Sequence, residues 1–372
     1  MTTPRTVCHI ITKLELGGAQ QNTLFTVAHL DPARFRPVLI TGEPGLLDDD
    51  ARRLAGVEFH QMPSLVRAIR PWSDLRALLA LARLLRRIKP AIVHTHSSKA
   101  GILGRLAARL AGAPVVVHSI HGFGFTRYQS APVRRLLIAL ECLAAKLTTK
   151  FFAVSDANRQ LGVELGLFPD SRCTVIRSGV DVAAIRKTGV DTTAKKRELG
   201  LEPGRPVVGM VAPMKPQKAP LDFVRVAAKV AFRKPEAQFL FVGDGELREA
   251  MEAEIAALGL VKSFRLAGWR RDVPAIMRCL DVFVLTSRWE GLPRVYLEAL
   301  ASGVPVVGTR VDGAAEVVRD GINGYLLAPG DVNGMAERVL HLLSNPTLAA
   351  DMGRRGEALP PEFDIHHMVR RQ

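Results

Sequence analysis

Cysteine is scarce, and no two cysteines lie close together. Cys8, Cys142, Cys173 and Cys279 are the only four in 372 residues. That excludes a disulfide framework and a CxxC zinc pattern, and it fits buried thiols in a reducing cytosol. Long apolar runs are missing too: Lys or Arg interrupts each one before the roughly 20 residues that a membrane-spanning helix needs. The opening Met1-Thr2-Thr3-Pro4-Arg5 leads into a strand-like segment without a signal-peptide apolar region. Aromatic residues are only 6% of the chain and are not interleaved with basic ones. A base-stacking platform is therefore excluded, and no zinc-finger or RNA-binding signature appears, so nucleic acid is not an expected partner. No low-complexity tract is present, and 48% apolar content allows a large core in place of disorder.

Acidic residues are nearly absent from one quarter of the chain. Between residues 62 and 152 there are fifteen Lys and Arg but only Asp74 and Glu141, which accounts for thirteen of the fifteen net positive charges. Such a localised field implies an anionic partner, either a lipid surface or a phosphorylated substrate. Within it, Val133, Leu136, Leu137, Leu140, Leu143 and Leu147 recur at helical spacing, with Arg134, Arg135, Lys146 and Lys150 around them. A core-facing helix with a solvated polar side and a basic helix lying on an anionic membrane both fit this pattern.

Short β-branched runs alternate with helical patterns throughout. Strands are expected at 7–12, 38–41, 91–94, 115–119, 151–154 and 174–176, with helices at 20–30, 74–88, 99–111 and 133–147. After a polar stretch at 187–196 and a Pro-Gly-Arg-Pro turn at 203–206, a second set of strands begins at 207–211, 239–242, 264–267, 282–286 and 304–307. This rhythm implies an α/β chain of two doubly wound, Rossmann-like domains facing a central cleft. The expected division is 1–185, 186–350 and a C-terminal segment 351–372 returning toward the first domain.

Several familiar motifs are absent: no GxxxxGK[ST], no HExxH and no GxSxG. Gly243-Asp244-Gly245-Glu246-Leu247-Arg248 falls short of GxGxxG because Arg248 occupies the third position. Asp48, Asp49 and Asp50 are read as acids favouring a helix start. His94 and His96 form an HxH pair, but no third ligand of matched spacing is visible, and no metal site is expected. The richest segment runs from Glu290 to Pro305. Its two carboxylates, Glu290 and Glu298, are eight residues apart, one at a strand-to-loop junction and one on the next helix. Ionised carboxylates accept pairs of vicinal hydroxyls, as sugar and ribose present them.

The pieces Gly17-Gly18-Ala19-Gln20, His94-Thr-His-Ser-Ser-Lys-Ala-Gly101, Ile120-His121-Gly122, Val154-Ser155 and Val175-Ile-Arg-Ser-Gly-Val-Asp181 occur in that order. Lys215-Pro-Gln-Lys218, Val242-Gly-Asp-Gly245, Gly268-Trp-Arg-Arg-Asp272 and the Glu290/Glu298 segment follow. Together they resemble the family 4 retaining glycosyltransferases of the GT-B fold over nearly the whole chain. The resemblance implies that Gly17 and Gly18 meet the donor diphosphate, that Lys218 neutralises it, and that Glu298 holds the ribose. It places Glu290 on the donor sugar's hydroxyls, the backbone of Gly291 and Leu292 against sugar and phosphate, and His121 near the reacting carbon. It assigns the backbone around Trp269 and Arg270 to the base. Where the family usually has an Arg five residues before the diphosphate Lys, this chain has Pro213; Lys215 is expected to supply the charge. Ser178 stands where the family often has Asn, and 351–372 is short for the family's last helix.

The implied activity is a metal-independent hexosyl or N-acetylhexosaminyl transfer, needing no cofactor, from a nucleotide-diphosphate sugar (UDP first, GDP next). The implied acceptor is a lipid-linked, polyprenyl-diphosphate saccharide in cell-surface polysaccharide or glycolipid synthesis. Arg134, Arg135 and Lys146 would lie on the acceptor and membrane side, with the enzyme cytoplasmic and peripheral on the inner face of the membrane. A nucleotide-sugar epimerase on the same fold and a catalytically silent nucleotide-sugar binder are the alternatives.

Overall fold

Runs such as Val7-Cys8-His9-Ile10-Ile11 are buried residue after residue. Strands covered on both faces by helices read this way, without alternation. The computed structural model describes residues 3–372 and divides into two units: residues through Gly179 together with Ile365–Gln372, and Val180–Asp364.

The first unit contains β1 (Arg5–Ile11), α1 (Gly18–His29), β2 (Phe35–Thr41), α2 (Asp48–Arg52), β3 (Glu58–Gln61) and α3 (Pro71–Ile88). It continues with β4 (Ile92–His96), α4 (Ser98–Ala111), β5 (Val115–Ile120), α5 (Ala131–Ala145), β6 (Lys150–Ala153), α6 (Asp156–Glu164) and β7 (Cys173–Val175). The seven strands are parallel in the order β3-β2-β1-β4-β5-β6-β7. The order reverses between β1 and β4. Helix α4 lies close on the sheet because Gly104 has no side chain; a Cβ there would sit 2.8 Å from Thr95 Cγ2. Arg105 on α4 is fully buried and pairs with Glu141 on α5 at 2.6 Å, while Asp74 pairs with Lys99 at 2.5 Å. Both acids of the basic segment are thus held by cations of the same segment. The three aspartates at 48–50 do start α2, with Asp48 accepting from the Gly45 amide at 2.9 Å.

The second unit opens with α7 (Val182–Lys187) and α8 (Thr192–Glu198), followed by β8 (Val207–Val211), α9 (Pro220–Arg233), β9 (Gln238–Val242), α10 (Arg248–Ala257) and β10 (Phe264–Leu266). Then come α11 (Val273–Met277), β11 (Val282–Leu285), α12 (Arg294–Ala301), β12 (Val306–Thr309), α13 (Ala314–Val317), β13 (Gly324–Leu327), α14 (Val332–Ser344) and α15 (Pro346–Glu357). Its six parallel strands run β10-β9-β8-β11-β12-β13, reversing between β8 and β11. The final helix α16 (Ile365–Arg371) belongs to the first unit.

The structure corrects the sequence reading at four places. Edge strands β3 and β13 were not anticipated, since an edge strand need not be apolar on both faces. The stretch 187–196, read as a polar link, forms most of α8, whose start is capped by Asp191 and whose Lys195 pairs with Asp272 at 3.0 Å. The division falls at 179/180 in place of 185/186, because α7 packs on α12. The segment 351–372 splits: α15 packs on α12 and α14, whereas α16 packs on α1, burying Ile365 and Met368 with Ile176 and setting His366 edge-on to Phe25. The helix for which this segment looked too short is present.

Candidate active site

In open parallel sheets, ligands bind at the carboxyl ends of the strands where the order reverses. In the second unit that point lies between the loops after β8 and β11, and there the structure brings together Lys218 and Glu290. Lys218 Nζ pairs with Glu290 Oε1, which also accepts from Ser287 Oγ at 2.6 Å. The Glu290 amide donates to Asp312 Oδ2 at 2.6 Å. The two loops are strapped to one another: Thr286 Oγ1 reaches the carbonyls of Lys218 (2.8 Å) and Ala219 (2.9 Å), the Gln217 amide reaches Trp289 O (2.9 Å), and the Arg288 N–H reaches Gln217 O (2.8 Å). Ala219 and Asp312 hold positive φ, at 45° and 39°. Strained non-glycine residues persist only where the surroundings over-determine them, as these straps do.

Gly291 and Leu292, which follow Glu290 in the chain, are buried, and Gly291 O accepts from the Gly313 amide at 3.2 Å. Glu298, one helix later, pairs with Arg294 at 3.8 Å, and both side chains are largely covered. Burial pushes the Glu298 carboxyl above its ordinary value, with Arg294 opposing, and burial pulls the Arg294 guanidinium down. Lys215 lies in the same loop as Lys218, at the cap of the turn Pro216–Lys218. Gly243 forms part of the neighbouring loop with φ of 137°, and a Cβ there would strike Ala212 O. This glycine therefore serves close loop packing. Trp269 is 38% exposed. The Arg270 side chain is committed elsewhere, bonded to Asp272 at 2.7 and 2.8 Å and to Glu198. These bonds hold its charge firmly, Asp272 contributing most.

In the first unit, α1 starts at Gly18 with Gly17 as its cap, and the Gly17 N–H is already given to Glu15 O at 2.9 Å. Any anion there would meet the helix's first turn and not the Gly17 amide. His121 follows β5 and is partly exposed; its Nε2 lies 3.1 Å from His96 Nδ1, and His96 Nε2 lies 3.0 Å from His9 Nδ1. His9 is the imidazole that sequence spacing hides. It sits opposite His94 in the β1–β4 register. Nitrogens of His9, His94 and His96 all fall within 4.8 Å of one another, so the third partner sought for the HxH pair exists in space. Burial lowers all three rings, His9 to about 4, and lowers His121 likewise to about 4.

Arg134, Arg135 and Lys146 are exposed on and beside α5. The apolar residues of this helix divide: Leu137 packs on the core, whereas Val133, Leu136 and Leu143 are exposed. A second exposed apolar group was missed in the sequence, namely Ile69, Trp72, Leu75 and Leu79, with Arg70 and Arg76 beside them. Trp72 is 80% exposed. No helix among the described residues is long and apolar enough to cross a membrane. A separate cavity of about 700 Å³ between α9 and α14, lined in part by Arg225, Phe232 and Glu337, contains none of the residues above.

Two sequence-family models divide the chain: "Glycosyltransferase Family 4" matches residues 16–184 and "Glycosyl transferases group 1" matches residues 205–345. The UDP-Gal:α-D-GlcNAc-diphosphoundecaprenol α-1,3-galactosyltransferase of Escherichia coli is 34% identical over 92% of this chain and 89% of its own length. The 2-deoxystreptamine glucosyltransferase of Streptomyces kanamyceticus is 30% identical over 78% of each. Among solved structures, Anabaena Alr3699/HepE in complex with UDP and glucose matches with a TM-score of 0.85 at 20% identity, covering 99% of this chain and 98% of that one. Sucrose-phosphate synthase from Thermosynechococcus elongatus gives 0.86 at 18% identity, covering 99% and 97%. Two parallel-sheet α/β domains with these matches define a glycosyltransferase of the GT-B fold. The chain belongs to glycosyltransferase family 4.

Proposed function

We propose that this enzyme transfers a hexose or N-acetylhexosamine from a nucleotide-diphosphate sugar, UDP-linked in preference to GDP-linked, to a lipid-linked saccharide, retaining anomeric configuration. The observation that carries this reading is Lys218 resting on Glu290 where the strand order of the second sheet reverses. One group can neutralise a departing diphosphate, and the other can accept hydroxyls of the sugar it leaves behind. The remaining roles follow the loops: Lys215 as the second cation, Gly291 and Leu292 as backbone partners of sugar and phosphate, and Glu298 on the ribose. The backbone at Trp269 and Arg270 serves the base, the start of α1 at Gly18 the phosphates, and His121 the donor sugar.

In the reaction, the bond between the anomeric carbon and the diphosphate oxygen breaks while the acceptor hydroxyl attacks the same face. The departing phosphate takes the acceptor's proton as Lys218 stabilises its charge. The reading needs neither a carboxylate nucleophile nor a metal, because lysines and helix termini supply the positive field.

A polyprenyl-diphosphate acceptor, of the kind named for the E. coli relative, is supported by the basic first unit and by its exposed apolar residues on α3 and α5. Basic residues with Trp and Leu beside them suit an anionic membrane surface. We place the enzyme on the inner face of the cell membrane, in surface polysaccharide or glycolipid synthesis. The test is transfer of labelled sugar from UDP-galactose, UDP-glucose, UDP-N-acetylglucosamine and GDP-mannose to GlcNAc-diphospholipid in the presence of chelator, with the product anomer read by NMR. An α-linked disaccharide lipid from a UDP-α-sugar is expected. Hydrolysis alone, epimerised donor or inversion would overturn the reading.

A further inference from the structure

Five histidines converge on three neighbouring strands of the first unit, and the family assignment gives a role to one of them. His9 Nδ1 meets His96 Nε2 at 3.0 Å, and His96 Nδ1 meets His121 Nε2 at 3.1 Å. Both hydrogen-bonding partners of His96 are imidazoles. A neutral imidazole has one N–H and one lone pair, so His96 must donate to one neighbour and accept from the other. The three rings therefore form a chain with a direction, and only two directions exist. In one, every ring carries its proton on Nδ1, and His121 ends the chain with an outward Nδ1–H. In the other, every ring carries it on Nε2, and His121 ends with a bare Nδ1.

The inner end decides between them. His9 Nε2 is buried and, among the described residues, has no hydrogen-bond partner. Placing the proton there would leave an orphaned buried N–H, the rarer and costlier defect. His121, at the other end, is partly exposed, so a donor there can be used. The two strand ends that carry the chain are also fixed to each other. Ser97, which follows His96, adopts φ of 61° and ψ of 161°, a strained conformation for a residue with a side chain, and its hydroxyl is bonded to Thr12 beyond β1 at 2.8 Å. The His96 ring cannot readily turn away from His9 while this strap holds.

We propose that His9 and His96 are positioning residues that lock His121 as the Nδ1–H tautomer, so that it serves as a neutral hydrogen-bond donor to an oxygen of the bound sugar and not as a general base. The assignment of the sugar to His121 rests on the proposed function; the tautomer does not.

The test is long-range ¹H–¹⁵N correlation on the full chain labelled with ¹⁵N-histidine, signals being assigned with single variants. His9, His96 and His121 are expected to show the protonated-nitrogen shift at Nδ1 and the bare-nitrogen shift at Nε2. An Nε2–H His121, or averaged shifts, would overturn the proposal, and this readout needs no transfer activity. His9→Asn keeps an amide donor where Nδ1 stood and should leave the His121 shifts and kcat nearly unchanged. His9→Leu removes the donor; it should scramble the His121 shifts and lower kcat about tenfold, the worth of one hydrogen bond, with little change in KM. A visible cobalt(II) absorption band that disappears in His94→Leu would also overturn it, because the imidazoles would then be facing a metal and not each other. Absence of sugar transfer with the expected shifts intact would count against the proposed function alone.

Discussion

Lys218 Nζ rests on Glu290 Oε1 although 72 residues separate them, and Ser287 holds the same oxygen at 2.6 Å. An ammonium and a carboxylate this well covered form a switchable pair. On the proposed function, a diphosphate arriving at the loop would compete with Glu290 for the cation, and the carboxylate it releases would become available to sugar hydroxyls. Donor binding and assembly of the reacting groups would then be one event.

Breaking this pair has separable costs. Lys218→Ala should lower kcat by at least about 100-fold and cost about 3 kcal/mol of stability, since it strands a buried carboxylate. Lys218→Met combined with Glu290→Gln should recover most of the stability, read by urea unfolding, while transfer stays lost. Lys215→Ala should raise the donor KM about tenfold with a smaller effect on kcat; an unchanged KM would show that nothing in this loop replaces the missing arginine at Pro213.

Glu298→Ala should abolish the thermal stabilisation given by UDP. In the parent enzyme, nucleotide at 100 times its Kd adds about 2.7 kcal/mol, an easily measured rise in Tm. The variant leaves the covered Arg294 guanidinium without its ion-pair partner and should lose some stability, so nucleotide stabilisation is read as the Tm rise over the variant's own ligand-free value. Retained nucleotide stabilisation would take Glu298 out of the site.

The buried imidazoles make the first unit acid-sensitive. His9 titrates near 4 when folded, against about 6.5 when unfolded, because burial disfavours the charged ring, and burial lowers His94 and His96 in the same way. Between these values the unfolded chain binds more protons, so stability is complete above about pH 6.5 and falls as pH drops toward 4. Unfolding titrations from pH 7 to 5 should show uptake of more than one proton. His9→Leu should flatten the slope.

Vesicle binding should depend on both exposed apolar groups. Arg134→Glu with Arg135→Glu should abolish flotation with anionic vesicles, and moderate salt should weaken it in the parent. Trp72→Ala should reduce binding severalfold even at low salt, since it removes apolar insertion and not charge. Full binding by both variants would place membrane contact elsewhere.

Most of the architecture was legible because strands buried on both faces are continuous apolar runs, as in 7–11 and 207–211, and because the helices between them keep their period. Edge strands such as Glu58–Gln61 carry no such signal. Glu290, Glu298 and Lys218 were legible as residues within segments, but their pairings were not: Lys218 meets Glu290 and Glu298 meets Arg294. Ser287 and Asp312 escaped notice for the same reason, since each acts through a contact made only when two loops after different strands come together. His9 was invisible because its partnership with His94 and His96 is a matter of strand register, which sequence spacing does not reveal. The last helix was underestimated by length alone, although seven residues suffice to bury Ile365 and Met368.

That helix also bears on the order of events at the ribosome. Met368 and Ile365 fill part of the same apolar cluster as Phe25 and Phe152. The first unit therefore completes this cluster only once 365–372 have been made, after the whole of Val180–Asp364, which can complete its own core beforehand. Domains usually mature in the order of synthesis; here the chain closes its first domain after its second.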